Sequence, residues 1–381
     1  MLRLIGLKRP KAKLESAEFN EAYYLASQRQ LVWRKFRRHR LAMSSLVVVI
    51  FLYSLAIFSE FFTINDYQKR HVAYAKAPPQ ALHFIDEAGN FHLVPFIYQL
   101  KQELDMETLR RNYTEDRSKR YHLRFFVEGL PYKLLGIFDT NIHIVGVDAP
   151  AVYFPFGTDE LGRDLYSRTI IGARISLSIG FISVVISFCF GCLIGGISGY
   201  FGGKVDVVAQ RVIEFIVSIP QLPLWMALSA ALPPQWSSIQ DYLAISTVLA
   251  VLSWPPLARA VRGKLLELRE ADFVMAARIS NMGDYEIIVK HLLPSFASFL
   301  IVVLSLSVPG MILAETALSF LQIGIRPPAV SWGVLLQDAQ NIRALSQSPW
   351  LLIPGLFVIV TVLSFNFLGD GLRDAADPYK Q

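Results

Sequence analysis

Apolar and polar stretches alternate along the chain at a spacing set by a lipid bilayer. Crossing the hydrocarbon core as a helix takes roughly 20 mostly apolar residues. About six runs approach that length: Leu41 to Phe62, Ile175 to Ile197, Val212 to Leu232, Tyr242 to Val261, Phe296 to Leu321 and Trp350 to Leu368. The pattern predicts an all-α membrane protein with about six transmembrane helices. The first run starts after 40 residues and no small-residue cleavage site follows it, so it reads as an uncleaved anchor rather than a signal peptide.

The polar stretches between the runs are unequal. Residues 1–40 form a lead-in in which "FNEAYYLASQRQLVWRKF" suits a helix on the membrane surface. Residues 63–170 are an insert too long for a simple loop. Within it, "HFIDEAGNFHLVPF" and "HLRFFVEGLPYKLLGIF" read as apolar strands flanking Gly turns, and "DMETLRRNYTED" as a short helix capped by Asp105. A small α+β subdomain is expected there. "GYFGGKVD" predicts a tight turn, "PPQWSSIQD" a short loop on the opposite side, residues 262–295 a long loop, and residues 372–381 a tail.

Composition agrees with a membrane protein, since 53% of the 381 residues are hydrophobic and the mean hydropathy is +0.39. The net charge of +6 does not indicate a nucleic-acid partner, because the basic residues cluster beside the apolar runs. Arg34, Lys35, Arg37, Arg38 and Arg40 precede the first run, and Arg262, Lys264, Arg269 and Arg278 occupy the long loop. By the positive-inside rule both termini and that loop lie in the cytoplasm, and the insert outside it. Cys189 and Cys192 lie within the second run with no second ligand pair, so they read as packing residues. The sequon at Asn112-Tyr113-Thr114 reads as chance.

The long loop carries the most informative chemistry. Helical spacing over about 265–279 groups Phe273, Ala276, Ala277 and Ser280 on one face, small residues around one aromatic that could seat in a partner's groove. Asn281-Met282-Gly283 should end this helix, Asp284 should cap a second one with Glu286 in its first turn, and Leu293-Pro294 should mark the approach to the fifth span. The competing reading is a solvated amphipathic loop.

That segment resembles the EAA loop of ATP-binding cassette (ABC) importer permeases. Aligned on Pro294, Met275 stands in the Glu slot, Ala276 and Ala277 in the Ala slots, Asn281 in the Gly slot and His291 in the Ile slot, and Leu293-Pro294 close the pattern. "FGTDELGRDLYSRTIIGARISLSIG", "GYFGGKVD", "RVIEFIVSIPQLPLW", "LREADFVMAAR", "KHLLPS", "ILAETALSFLQIGIRPP" and "GDGLRDAADP" are similar, in order, to the second permease of the oligopeptide, dipeptide and nickel branch. The resemblance implies the type I importer permease fold and no catalytic or metal site in this chain. It further implies ATPase coupling through Glu270, Asp272, Phe273, Met275, Ala276, Ala277, Arg278, Asn281, Gly283, Leu293 and Pro294. The implied partners are a homologous second permease, two ATPase subunits or domains that bind ATP and Mg, an external solute-binding protein, and the lipid of a bacterial or archaeal inner membrane.

Other residues invite function and are weighed against plainer roles. Gly202-Gly203-Lys204 lacks the Ser or Thr and the first Gly of a phosphate loop. Gly191, Gly195 and Gly199 allow close helix approach, within this chain or to a second permease. Glu214 and Glu315 are intramembrane carboxylates that could relay protons or be structurally paired. Pro220, Pro223, Pro255, Pro256 and Pro309 predict bends, which could line a path or serve packing. Asp159, Arg163 and Asp164 read as an ion-paired cap before the second span. The expected function is import of oligopeptides or similarly sized solutes, with oligosaccharides or nickel chelates as alternatives within the family. An ion-coupled transporter using Glu214 or Glu315 is the alternative of a different class.

Overall fold

The computed structural model describes residues 28–104, 106–107 and 111–376. Helix α1 (Gln28–Arg38) ends in the basic turn Lys35, Arg37 and Arg38; the part of the lead-in before residue 28 lies outside the described residues. His39 then caps α2 (Arg40–Ile57) by accepting the Ala42 N–H at 3.1 Å. The first apolar run therefore breaks at Phe58, and Ser59–Phe62 is a separate short helix.

The insert is an antiparallel sheet in the order β1-β2-β3-β4, made of β1 (His83–Ile85), β2 (Phe91–Leu104), β3 (Arg111–Leu134) and β4 (Phe138–Val147). Its helical content among the described residues between Thr63 and Asp164 is the 3-10 turn Val72–Tyr74. The helix expected over "DMETLRRNYTED" is corrected from Arg111 onward: that stretch is strand, because Leu104↔Arg111 through Leu100↔Glu115 pair across the sheet and override local propensity. Asp105 lies outside the described residues. No turn forms at Gly129 either; β3 continues through it, and the chain reverses at Leu135-Gly136-Ile137.

Helix α3 (Leu165–Phe201) is the axis of the molecule at 37 residues. Asp164 caps it by accepting the N–H groups of Tyr166 and Ser167 and the Ser167 hydroxyl, and Asn65 donates to the same carboxylate at 3.1 Å. The structural reading of "TDELGRD" fits this geometry, with Arg163 Nε donating to Asp159 Oδ2 at 2.6 Å and Arg168 pairing with the same oxygen.

Gly202 (φ +65) and Gly203 (φ +53) turn the chain from α3 into α4 (Gly203–Ser218), a backbone conformation open to glycine at little cost. The third and fourth apolar runs are not straight spans. Pro220 separates α4 from α5 (Gln221–Ala230) at an 81° bend, and α6 (Ser238–Ser253) meets α7 (Pro255–Leu268) at 41° where Pro255 opens the new helix. Among the described residues, four helices are long and apolar enough to cross a membrane alone: α2, α3, α9 (Ala297–Phe320) and a segment ending in α10 (Ile353–Ala376); counting each bent pair as one span gives up to six. Leu52, Leu177, Ile179, Ile245, Leu249, Ile312, Leu318 and Phe365 from α2, α3, α6, α9 and α10 share the main core.

Candidate coupling site

Helix α8 (Asp272–Ile279) lies beside Tyr200 in the last turn of α3, whereas the sheet adjoins the chain that contacts the first turn of α3 at Ser167. The single helix expected over about 265–279 is interrupted, since α7 ends at Leu268 and α8 starts anew after Ala271. Val274 and Ala277 point inward and are buried with Tyr200, Leu265, Ile287 and Leu292, whereas Phe273, Met275, Ala276, Ile279 and Ser280 face out. Ala277 is thus separated from the exposed face to which spacing assigned it. Ile279, 86% exposed, takes its place; it was reachable by counting three residues on from Ala276.

The far end of α8 is closed by two backbone bonds. Met282 N–H donates to Ala277 O at 3.2 Å and Asn281 N–H to Arg278 O at 2.9 Å, with Asn281 at φ +59. This is the Schellman arrangement, in which a left-handed residue satisfies carbonyls the helix end leaves open. Met282 packs onto the buried cluster beneath. Gly283 is extended, and the chain re-enters helix at Asp284–Glu286, continues through a π-helical stretch Ile287–Leu292, and closes with Leu293–Ser295. The expected capping role of Asp284 is replaced by another: no side chain caps that turn, and the Asp284 carboxylate accepts the Tyr200 hydroxyl at 2.7 Å. Arg278 stacks over the Tyr200 ring at 5.2 Å. Glu270 is exposed, at 3.5 Å from Arg269. Leu293 is half-buried against the cluster and Pro294 is exposed.

Three glycines seat this assembly on α3. A Cβ at Gly191 would meet Leu257 Cδ2 at 2.7 Å, at Gly195 the Ala258 carbonyl at 2.4 Å, and at Gly199 the Arg262 carbonyl at 2.8 Å. All three contacts are to α7, so these glycines serve a helix pair within the chain. Arg262 also grips Asp206 of α4, which accepts the Ser198 hydroxyl at 2.6 Å. Spacing gave no sign of that pair, because its members lie 56 residues apart on different helices.

The two intramembrane candidates differ sharply. Glu214 is on an exposed side of α4 and accepts from Arg211 at 2.8 Å. Glu315 is fully buried in α9 and accepts from Ser319 at 2.8 Å and from Ser176 at 3.2 Å, while Ser176 Oγ also accepts the Trp332 N–H. Cys189 is exposed and Cys192 half-buried on α3, both as free thiols.

Residues 191–380 match the family described as binding-protein-dependent transport system inner membrane component, and residues 27–79 match the N-terminal TM domain of oligopeptide transport permease C. The dipeptide transport system permease protein DppC of Bacillus subtilis is 30% identical over 354 residues, covering 92% of this chain and 86% of that protein. The oligopeptide transport system permease protein OppC of Haemophilus influenzae is 43% identical over 227 residues, 59% of this chain and 70% of that one. An inward-facing MetNI methionine ABC transporter structure aligns at 18% identity and a TM-score of 0.42, over 55% of this chain and 96% of its own.

The chain belongs to the OppC/DppC-type permease family of ABC importers. It is an inner-membrane permease component of a binding-protein-dependent transport system.

Proposed function

We propose that the chain translocates oligopeptides or similarly sized solutes, handed over by a solute-binding protein on the side of the sheet, and that α8 couples the spans to ATP hydrolysis in separate subunits. In this reading the chain pairs with a homologous second permease, two ATPase subunits or domains bind ATP and Mg, and both termini are cytoplasmic. The peptide-named relatives support the substrate class. The observation that carries the coupling role is α8 itself. One side is locked by Val274, Ala277 and the Asn281 turn onto α3 and α7, and the other presents Phe273, Met275, Ala276 and Ile279 to whatever docks there. A rigid helix with an apolar outer face suits insertion into a partner's groove. Glu270, Asp272, Arg278, Gly283, Leu293 and Pro294 frame that helix in this role. Oligosaccharides or nickel chelates remain alternative cargoes. The test is crosslinking from Ala276→Cys and Ile279→Cys, on a Cys189→Ser, Cys192→Ser background, to co-expressed ATPase subunits with and without ATP. A nucleotide-dependent crosslink is expected. Its absence in a protein that still transports would overturn the coupling role.

A further inference from the structure

Hairpins that end in water close with small polar turn residues. The β3–β4 hairpin closes instead with Leu134-Leu135-Gly136-Ile137-Phe138. Leu135 is 51% exposed, Ile137 73% and Phe138 63%. The tip is nonetheless well formed: Gly136 N–H donates to Lys133 O and Ile137 N–H to Leu134 O, each at 3.1 Å. Its apolar side chains are therefore held outward by the backbone.

The position of the tip supplies the reason. The hairpin folds back along the membrane helices, so that Leu135 and Gly136 line one wall of a groove whose other wall includes Tyr53, Ile57 and Leu177. Tyr53 is one turn inside the end of α2, and Leu177 is about 18 Å along α3 from its start at about 1.5 Å per residue. The uncharged run of α3 begins after Arg174. The tip thus reaches the level where hydrocarbon begins. Charge borders it: Lys133 and Arg174 line the same groove and pair with Asp139 and Glu60 on the side of the sheet. Ile57, beside the groove, is itself 47% exposed, so the tip extends the apolar flank of α2. A charged girdle over apolar side chains at the edge of the hydrocarbon is the pattern of an interfacial element.

We propose that the β3–β4 tip is a lipid anchor, with Leu135, Ile137 and Phe138 inserted into the bilayer leaflet on the side of the sheet. The anchor fixes the height and tilt of the sheet over the membrane helices. Lipid is the occupant because the flank the tip continues belongs to a membrane helix and the charges sit at headgroup level.

The experiment places a fluorophore at Ile137→Cys on a Cys189→Ser, Cys192→Ser background, in the intact transporter held in phosphatidylcholine nanodiscs. Quenching is read with a lipid carrying a nitroxide high on its acyl chain and with aqueous iodide. Leu93→Cys, at a β2 position 86% exposed, is the reference. The expected result is nitroxide quenching with protection from iodide at Ile137, and the reverse at Leu93. Iodide quenching at Ile137 without nitroxide quenching puts the tip in water, and protection from both puts it against another subunit; either overturns the anchor. Phe138→Cys gives the same reading should Ile137→Cys fail to assemble.

Discussion

The Tyr200 hydroxyl, at the last turn of α3, donates to the Asp284 carboxylate at 2.7 Å and so ties the longest helix to the chain just beyond α8. Arg278 covers the same ring, so one side chain holds both ends of the turn that closes α8. Tyr200→Phe keeps the ring and removes the donor. A hydrogen bond to a charged group is worth about 1.5–3 kcal/mol, and less for a pair partly open to water. Amide exchange across residues 272–286 is expected to accelerate by about fivefold, the equivalent of about 1 kcal/mol. Unchanged exchange would remove Tyr200 from the support of α8.

Asn281 occupies the left-handed region at φ +59. Asn281→Gly should leave thermal stability and uptake near the parent level, because glycine adopts that conformation readily. Asn281→Val should cost about 1–2 kcal/mol and loosen α8. Equal melting temperatures for the two variants would show that the turn relaxes without cost.

The α3–α7 seam gives a paired comparison. Gly195→Leu drives a side chain into the Ala258 carbonyl and should abolish folding or assembly, whereas Gly263→Ala, with nothing within 4 Å of its Cβ, should stabilise the exposed face of α7. The expected gain is about 0.5–1 kcal/mol. Thermal unfolding in detergent separates them.

Asp338, near the first turn of α3, has its carboxyl pushed up to about 6, first by burial and next by the charge of Asp159. The folded state therefore holds this proton more tightly than the unfolded chain. Stability from this group is greatest below the ordinary carboxyl range and falls as pH rises towards about 6, then stays level. Asp338→Asn should raise the melting temperature near neutral pH, and the gain should vanish at about pH 4. A gain independent of pH would contradict the burial argument.

On the outer face of α8, Ile279→Asp should leave the fold intact because its side chain touches little of this chain. Uptake is expected to fall by more than tenfold, about 1.4 kcal/mol of lost docking. Full uptake would detach this face from coupling.

The apolar runs were enough to locate the membrane segments, since bilayer thickness dictates their length regardless of packing. Their breaks were less legible. Pro220 and Pro255 were visible as interruptions, but the 81° and 41° bends depend on what each half packs against. Ala277 lies at the edge of the face drawn through Phe273, Ala276 and Ser280, next to Val274, and only the buried partners of Val274 and Ala277 show that it turns inward. The strand starting at Arg111 was hidden by helix-forming neighbours and is held by its ladder to β2.

Helix α3 carries no interior proline, and its 37 residues make a rod about 55 Å long. Its first turn is bound to Asn65 through Asp164, and its last to Asp284 through Tyr200. Such a rod is a strut held at both ends. One helix thus carries a clamp at each end, one to the chain entering α3 beside the sheet and one to the chain just beyond α8, so neither clamp can shift along the helix axis without loading the other.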